Sequence, residues 1–291
     1  EMLAELLKVK PVSIAIAGTH GKTSTCSMIG EILTAAELSP TMVIGGIVNK
    51  FQSNTISGSG DIIVVEADEF DRSFLTLQPT MSIITNLDLE HLDCYENLED
   101  LQGAFAQFAN AVPFYGRVAI CIDNGNTTSI IPQIKRPVVT FGIHESAEVR
   151  ATQLRFENKH SKFELVVCGK SQGVLNMHVP GEHNIINALG AATIALELDI
   201  PFESIQVGLD QYTGVQRRFD IKYTTENNIM IVDDYAHHPS EVSATLKAAK
   251  SGWDNRVISI FQPHLYTRTR DFYKDFAKAF LKSDILIVTD I

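Results

Sequence analysis

Four short runs of continuous apolar residues constrain the fold of this chain more than any other feature. They are rich in β-branched side chains and occupy positions 12–17 (VSIAIA), 61–66 (DIIVVE), 81–85 (MSIIT) and 117–122 (RVAICI). Strands that are apolar on both faces are typical of parallel sheets covered by helices on both sides. The pattern therefore predicts an α/β fold with a doubly wound parallel sheet.

The segments between these runs carry apolar residues at helical spacing. One face is formed by Met28, Ile29, Ile32, Leu33 and Ala36, and a second by Leu101, Phe105, Phe108 and Val112. Stripes with a period of about 3.6 residues are typical of helices that pack against a sheet. These two segments are the predicted covering helices.

Beyond residue 147 the pattern changes twice. Alternating residues predict a small antiparallel flap with strands near 149–156, 162–168 and 174–179, followed by helices at 184–198 and 203–210. A second series is expected, with strands at 229–234, 256–261 and 285–289 and helices at 240–250 and 271–282. We predict two domains, 1–216 and 217–291, with the second Rossmann-like and the boundary inside the segment 214–222.

The segment SIAIAGTHGKTST combines glycines, a lysine and hydroxyl residues between the first strand and its helix. The candidate nucleotide-binding residues are Gly18, Thr19, His20, Gly21, Lys22, Thr23 and Ser24. The usual phosphate-binding pattern has a glycine where Ile16 stands, so this is a variant with the shorter core GTxGKT. Backbone N–H groups at a helix N-terminus favour anions, a lysine can meet the outer phosphates, and a threonine hydroxyl can meet Mg²⁺. The segment predicts a P-loop.

Carboxylates and a histidine follow the next two strands, at the edge where α/β sheets bind ligands. Glu66 ends the second apolar run and is predicted to hold Mg²⁺, which prefers oxygen ligands. The other acids of EADEFD are interpreted as a solvated loop or helix start. His91, within TNLDLEHLD, follows the third run beside the expected P-loop, which favours a functional role over a structural one.

Composition excludes several classes of protein. The formal net charge of −11 leaves no broad basic surface for nucleic acid or an anionic membrane. Four widely spaced cysteines signal neither a zinc site nor a disulfide framework. No apolar window is long enough to span a membrane, and the first residues are acidic where a signal peptide is basic. We therefore expect a cytoplasmic protein without membrane insertion.

Seven segments occur together in one order, which is far more specific than a P-loop alone. They are GTHGKTST, EADEFDRSFL, TNLDLEHLD, PGEHNIINALGA, GVQRRFD, DDYAHHPSEV and QPHLYTRTRDF. In this order the chain resembles the muramyl (Mur) ligases from about residue 11 to its end. The resemblance implies a central ATP-binding domain, the start of a Rossmann-like C-terminal domain, and ATP with Mg²⁺, or alternatively Mn²⁺, as cofactors.

The resemblance also implies roles for individual residues, which fall into four functional groups. The expected catalytic residues are Lys22, His91, Arg218 and His237. The expected ATP contacts are the seven P-loop residues with His183, Asn184, Arg218, Asp234 and Tyr235. The expected metal ligands are Thr23, Glu66 and His91, and the expected substrate contacts are His237, His264 and Arg268. Structural interpretations stay open for some members and neighbours of this set. Asn184 and Asn187 could cap or line a helix, Arg217 could be a solvated neighbour, and His238 could brace the turn before Pro239.

The implied chemistry joins L-alanine to UDP-N-acetylmuramate, the substrates that the most similar branch of the family uses. A carboxylate attacks ATP to form an acyl phosphate, and an amine then displaces phosphate. Both steps build negative charge on oxygen, so preplaced cations matter more than a covalent nucleophile. Three alternatives stay open: a recycling ligase that adds a tripeptide to the same UDP-sugar, a plain kinase, and a P-loop module that forms no bond.

The chain departs from its relatives in three respects. It has no lysine between His91 and Lys135, where several family members carbamylate one, and Leu265 stands where many carry arginine. The relatives also carry an N-terminal UDP-sugar domain and a longer C-terminal domain, so we expect this chain to be a fragment without the N-terminal domain.

Overall fold

The computed structural model describes residues 2–88 and 94–291. Within those ranges it contains eight α-helices: α1 (Met2–Leu7), α2 (Lys22–Ala35), α3 (Leu98–Asn110), α4 (Gly125–Ile130), α5 (Glu182–Glu197), α6 (Phe202–Gln211), α7 (Pro239–Gly252) and α8 (Tyr266–Ala279). The strands of the same ranges are β1 (Val12–Ala17), β2 (Thr41–Val48), β3 (Ser53–Ile56), β4 (Ile62–Glu66), β5 (Met81–Ile84), β6 (Arg117–Cys121), β7 (Val138–Gly142), β8 (Val149–Glu157), β9 (His160–Val167), β10 (Lys170–Met177), β11 (Asp220–Thr224), β12 (Met230–Asp233), β13 (Ile258–Phe261) and β14 (Ile285–Val288).

One large sheet organises the first two thirds of the chain, in the order β10-β9-β8-β7-β6-β5-β1-β4-β2-β3. Strand β1 lies between β4 and β5 and runs parallel to both. The chain leaves β1 toward β2 and β4 on one side and then returns to β5 on the other. The loop after β1 therefore lies where the winding reverses, which is where open α/β sheets bind ligands.

Helices cover both faces of this sheet because its central strands are apolar on both sides. Ile14 and Ile16 of β1 pack with α2, α5 and α6 in one core. Ala15 and Ala17 face the opposite core, which α3 fills with Phe105 and other residues. The predicted doubly wound α/β class is confirmed.

The antiparallel flap is an extension of this sheet. Strand β8 pairs in parallel with β7, and β9 and β10 then continue the sheet in antiparallel register. The hairpin β2–β3 was missing from the sequence prediction, as were β7 and β11. The Gly45–Gly46 pair interrupts the apolar pattern of β2. Position 45 requires glycine, because a Cβ there would lie 2.7 Å from the Glu66 carboxylate.

The C-terminal part is smaller and more exposed. It holds an antiparallel pair, β11 with β12, and a parallel pair, β13 with β14. Its small core groups Val242, Leu246, Phe276 and Ala279 between α7 and α8. The boundary at residue 216 stays a prediction. Val215 forms an isolated β-bridge with Val48 of β2. Two residues later, the Arg217 carbonyl oxygen accepts a hydrogen bond from Tyr235 N–H in the C-terminal part.

None of the helices in the described ranges combines the length and apolarity needed to cross a membrane.

Candidate nucleotide-binding and catalytic site

Two glycines shape the loop between β1 and α2. Gly18 has φ of 137°, and a Cβ there would lie 2.0 Å from the Thr85 hydroxyl. Gly21 has φ of 82° at the N-cap of α2, and a Cβ there would lie 2.3 Å from the Asn187 side-chain oxygen. Both positions require glycine for backbone conformation and for space. The loop thus brings its backbone N–H groups to the start of α2, where an anion is favoured.

Hydrogen bonds fix this loop to the segment after β5. Thr19 N–H donates to Asn86 O at 3.0 Å. His20 N–H donates to Asn86 Oδ1 at 2.8 Å, and the Thr85 hydroxyl donates to His20 O at 2.6 Å. The P-loop is therefore held in place by its own sheet.

Lys22, the predicted phosphate-contacting cation, is paired inside the protein. Its Nζ lies 2.7 Å from Glu69 Oε2 and 2.7 Å from Gly18 O. The Glu69 side chain is only 1% exposed, so its interpretation as part of a solvated loop is wrong, whereas Asp68 and Asp71 are exposed. Burial lowers the pKa of Lys22, but the Glu69 charge and hydrogen bond outweigh that effect and raise it. The ammonium group is thus charged and preoriented.

Thr23 and Glu66, the predicted metal ligands, lie side by side. The Thr23 hydroxyl is 3.2 and 3.0 Å from the two Glu66 carboxylate oxygens, and Gly45 N–H donates to Glu66 Oε2 at 2.8 Å. Hydroxyl and carboxylate oxygens are ligands that suit Mg²⁺. His91, predicted as the third ligand and a catalytic residue, lies outside the described residues and stays a prediction.

Arg218 approaches the P-loop from the C-terminal part. Its Nη1 lies 3.2 Å from Glu241 Oε1, and the same carboxylate oxygen lies 3.4 Å from His20 Nδ1. On the other side of the imidazole, His20 Nε2 lies 3.3 Å from Asp88 Oδ2. The His20 hydrogen bond lowers the pKa of Asp88 to about 2 although partial burial opposes the shift. This row of alternating basic and acidic side chains joins the two parts of the chain.

The residues of DDYAHHP form the C-terminal wall of the site. Asp234 accepts hydrogen bonds from Phe219 N–H, Ala236 N–H and the Thr245 hydroxyl. Burial nevertheless raises the pKa of Asp234 above its usual value. Tyr235 is half-exposed, and the Arg217 guanidinium carbon lies over it at 4.6 Å from the centre of the tyrosine ring. His237 Nδ1 lies 2.8 Å from Tyr235 O.

His238 lies at the N-cap of α7, where its Nδ1 accepts a hydrogen bond from Ser240 N–H at 3.4 Å. Together with His20 and Asp88 it forms a group whose potential ligand atoms lie within 4.8 Å of one another. A neutral imidazole that accepts at Nδ1 carries its proton on Nε2 and cannot ligate a metal there. We interpret this group as a hydrogen-bonded network, which agrees with the structural alternative for His238.

Two cavities meet at the P-loop. The first, of about 280 Å³, is lined by His183, Asn184 and Asn187 with Ser24 and Asp234, and we call it the nucleoside cavity. The second, of about 540 Å³, is lined by loop residues 19–23 with Glu66, Tyr235 and His237, and we call it the phosphate cavity. Residues shared by the two linings are His20, Gly21, Thr23, Arg218 and Glu241.

His183 and Asn184, two of the residues predicted to contact ATP, line the nucleoside cavity. Burial, with the nearby Arg218 charge, lowers the pKa of His183 to about 4, so its imidazole is neutral at pH 7. The Asn184 amide donates to Pro180 O at 2.7 Å, a bond that fixes the start of α5. Asn184 therefore combines the helix-lining role left open from sequence with a place in the cavity wall.

The structure does not bring every predicted substrate residue to these cavities. His264 is exposed before α8 and Arg268 lies in its first turn, and neither lines the nucleoside cavity or the phosphate cavity. Their assignment to substrate stays a prediction.

Sequence reasoning missed two carboxylates that contact the predicted cations. Glu69 is paired with Lys22, and Glu241 with Arg218 and His20. The signal for Glu241 was present, because it is the third residue of a helix that starts at the proline ending the DDYAHHP segment, where an acid is favoured by the helix dipole. Glu69 gave no separate signal among the neighbouring acids.

Comparison with known proteins agrees with this geometry. The family model for the Mur ligase middle domain matches residues 16–195, and that for the Mur ligase, glutamate ligase domain matches residues 217–291. Over its full length the chain is 48% identical to the UDP-N-acetylmuramate--L-alanine ligase of Geotalea daltonii and covers 63% of that protein. For the protein of the same name from Syntrophus aciditrophicus the identity is 49% and the coverage 60%.

Among solved structures, the chain is similar to the UDP-N-acetylmuramate-alanine ligase MurC of Thermotoga maritima. The TM-score is 0.85 at 30% identity, over 100% of this chain and 64% of that one. The chain thus spans a little less than two thirds of the relatives that it matches. With both family models matched in order over an α/β fold of this kind, the chain belongs to the Mur ligase family.

Proposed function

We propose that the protein is an ATP-dependent ligase that joins L-alanine to UDP-N-acetylmuramate through an acyl phosphate, in peptidoglycan precursor synthesis. The residues of the two cavities supply its nucleotide site and reacting centre. The observation that carries the proposal is the phosphate cavity, where Lys22, the Thr23–Glu66 pair and Arg218 converge from both parts of the chain. The names of relatives with 48–49% identity support the same activity.

ATP fits the arrangement of the two cavities. A nucleotide needs an enclosed site for its base and ribose that continues into a site rich in N–H groups and cations. The nucleoside cavity has apolar and amide lining, and the phosphate cavity holds the P-loop and its lysine. We propose that the base lies beside His183 and Asn184 and that the phosphates follow residues 18–23.

Magnesium fits the donor set beside the phosphates. Thr23 and Glu66 offer oxygen ligands, and Mg²⁺ commonly takes one or two protein ligands with water and phosphate oxygens for the rest. We propose these two residues, with His91, as the ligands of Mg²⁺ or Mn²⁺. The bound ion would neutralise phosphate charge during transfer.

The residues of the chain then serve both chemical steps. A carboxylate oxygen of the sugar substrate attacks the γ-phosphorus of ATP, the bond to the bridging oxygen breaks, and ADP leaves with that electron pair. The amine of L-alanine attacks the acyl carbon, loses a proton, and expels inorganic phosphate. Lys22 and Arg218 stabilise the negative charge that develops on phosphate oxygens, a role that requires cations fixed in advance.

We further propose a cytoplasmic location. All four cysteines are free thiols in the structure, as expected in a reducing compartment. The proposed substrates are small molecules, and the net charge of −11 argues against nucleic acid as a partner.

The test is phosphate release by the full-length protein with ATP, Mg²⁺ and UDP-N-acetylmuramate, comparing L-alanine, glycine, L-serine and the tripeptide as acceptors. Release that requires the sugar and is fastest with L-alanine is the expected result. A preference for the tripeptide would move the assignment to the recycling ligase. ADP formation that requires the sugar but no amine, with no phosphate release, would indicate a kinase. Phosphate release indifferent to both substrates would leave a nucleotide-binding module.

A further inference from the structure

Glu241 is a largely buried carboxylate that contacts three residues of the site, and nothing in the sequence motif assigns it a role. Its Oε1 lies 3.2 Å from Arg218 Nη1 and 3.4 Å from His20 Nδ1. Its Oε2 accepts a hydrogen bond from His237 N–H at 3.0 Å and lies 3.4 Å from His237 Nδ1. The side chain is 11% exposed.

These three partners come from different parts of the fold. His20 belongs to the P-loop, Arg218 to the bend before β11, and His237 to the turn before α7. Glu241, Arg218 and His20 also line both the nucleoside cavity and the phosphate cavity. Glu241 therefore lies where the two cavities adjoin.

A purely structural role in capping α7 would use only one of the two oxygens. The bond from His237 N–H satisfies the turn before the helix through Oε2. Oε1 points instead at the Arg218 guanidinium and the His20 imidazole, which belong to other elements. The neighbouring Ser240 hydroxyl donates to Asp88 Oδ2 at 3.0 Å, so the first turn of α7 is docked on the P-loop region by two side chains.

The Glu241 carboxylate stays ionised in this position. Burial would raise its pKa, but the His20 hydrogen bond and the charges of His20, Arg218 and His237 outweigh burial and hold the pKa well below its usual range. The N-terminus of α7 adds a favourable dipole. A fixed anion can therefore orient Arg218, which is one third exposed and has several donors besides Nη1.

We propose that Glu241 is a positioning residue that acts through Arg218, holding its guanidinium at the junction of the two cavities while it docks α7 on the P-loop. The inference rests on the proposed function insofar as Arg218 faces ATP phosphates. It adds that the C-terminal part reaches the nucleotide only when this carboxylate is in place.

The experiment is a double-mutant cycle on the full-length protein with E241Q, R218A and the double variant. Glutamine keeps an oxygen for His237 N–H and removes the charge, so a capping role alone would survive E241Q. We expect E241Q to reduce L-alanine-dependent phosphate release about 10- to 100-fold while lowering Tm by only a few degrees, so that the protein stays folded during the assay. The double variant should be no slower than R218A. E182Q is the matched control, because Glu182 also lies in the first turn of a helix and pairs across the two parts, with Lys247.

Calorimetric binding of ATP with Mg²⁺ to the same proteins is a second readout that needs no turnover. The same non-additive pattern in Kd is expected. Absence of ligase turnover with an intact binding cycle would remove the proposed function and leave the Glu241 inference standing. Effects of E241Q and R218A that multiply, an E241Q protein equal to wild type, an E182Q protein as impaired as E241Q, or a wild-type protein that binds no ATP would overturn it.

Discussion

The central and C-terminal parts of the chain each supply a cation to the site, and they hold it in different ways. Lys22 lies in a loop bonded to the sheet that carries it, and its partner Glu69 is 1% exposed. Arg218 is 33% exposed, and its partner Glu241 belongs to a helix of the smaller part. The difference teaches that one cation is preorganised by the core of its own domain. The other is held by a partner within the smaller part and reaches the P-loop only where that part docks.

The largest effect that tests this contrast is expected for K22A. Loss of a preorganised cation should reduce phosphate release by roughly 100- to 1,000-fold. It should also cost a few kcal/mol of stability, because the buried Glu69 carboxylate would lose its 2.7 Å contact with the Lys22 ammonium group. Steady-state kinetics and denaturant unfolding measure the two quantities.

The matched control for K22A is K50A. Lys50 Nζ lies 2.6 Å from the 1% exposed Glu31 carboxylate, so this variant also removes the basic partner of a buried acid in the central part. Activity within about threefold of wild type is expected, since Lys50 lies outside both cavity linings. Equal loss of activity in K50A and K22A would show that stability of the central part, and not the Lys22 charge, limits turnover.

A smaller effect on both quantities is expected for R218A. Phosphate release should fall about 100-fold, as for one lost transition-state contact. Stability should fall by only about 1 kcal/mol, because the arginine is partly exposed. R117A removes an arginine of similar exposure (37%) that pairs with Glu197 outside both cavity linings, and it should stay within about threefold of wild type. An unfolding penalty for R218A as large as that for K22A would erase the contrast between the two parts.

The smallest expected effect concerns pH. The pKa of Asp88 is lowered to about 2 in the folded protein by His20, from 3.8 when unperturbed. A lowered pKa contributes stability that is present above the unfolded value and is lost as pH falls through the folded value. Wild type should therefore exceed D88N by about 1–2 kcal/mol at pH 5, with the difference shrinking between pH 4 and 2. Denaturant unfolding at pH 5, 4, 3 and 2 measures it, and a constant difference would show that Asp88 acts without its charge.

The fold of the central part was predictable because its signals are local. Runs such as 61–66 are apolar on both faces, which only a covered parallel sheet explains. The P-loop was predictable for the same reason, since its glycines, Lys22 and Thr23 are adjacent in sequence. The hairpin β2–β3 escaped prediction, because Gly45 is there to make room for a carboxylate 21 positions away.

The pairing of cations with carboxylates could not be predicted, because it depends on distance in space. Glu69 lies 47 positions from Lys22, among acids of which Asp68 and Asp71 are exposed. Glu241 meets His20 only after α7 has docked on the P-loop region. A sequence pattern ranks such acids by their neighbours along the chain, which in this protein are not the groups they contact.

Helix α7 is attached to the central part at both of its ends. Its first turn contacts Asp88 and His20, and at its last residue Gly252 O accepts a hydrogen bond from Asn158 N–H at the tip of the β8–β9 hairpin. Fourteen helical residues span about 21 Å, and a Cβ on Gly252 would lie 2.5 Å from Asn158 O. The helix is thus fixed to the central part at two distant points. A rotation of α7 that separates its first turn from the P-loop must therefore pivot about the Gly252–Asn158 contact or break both contacts at once.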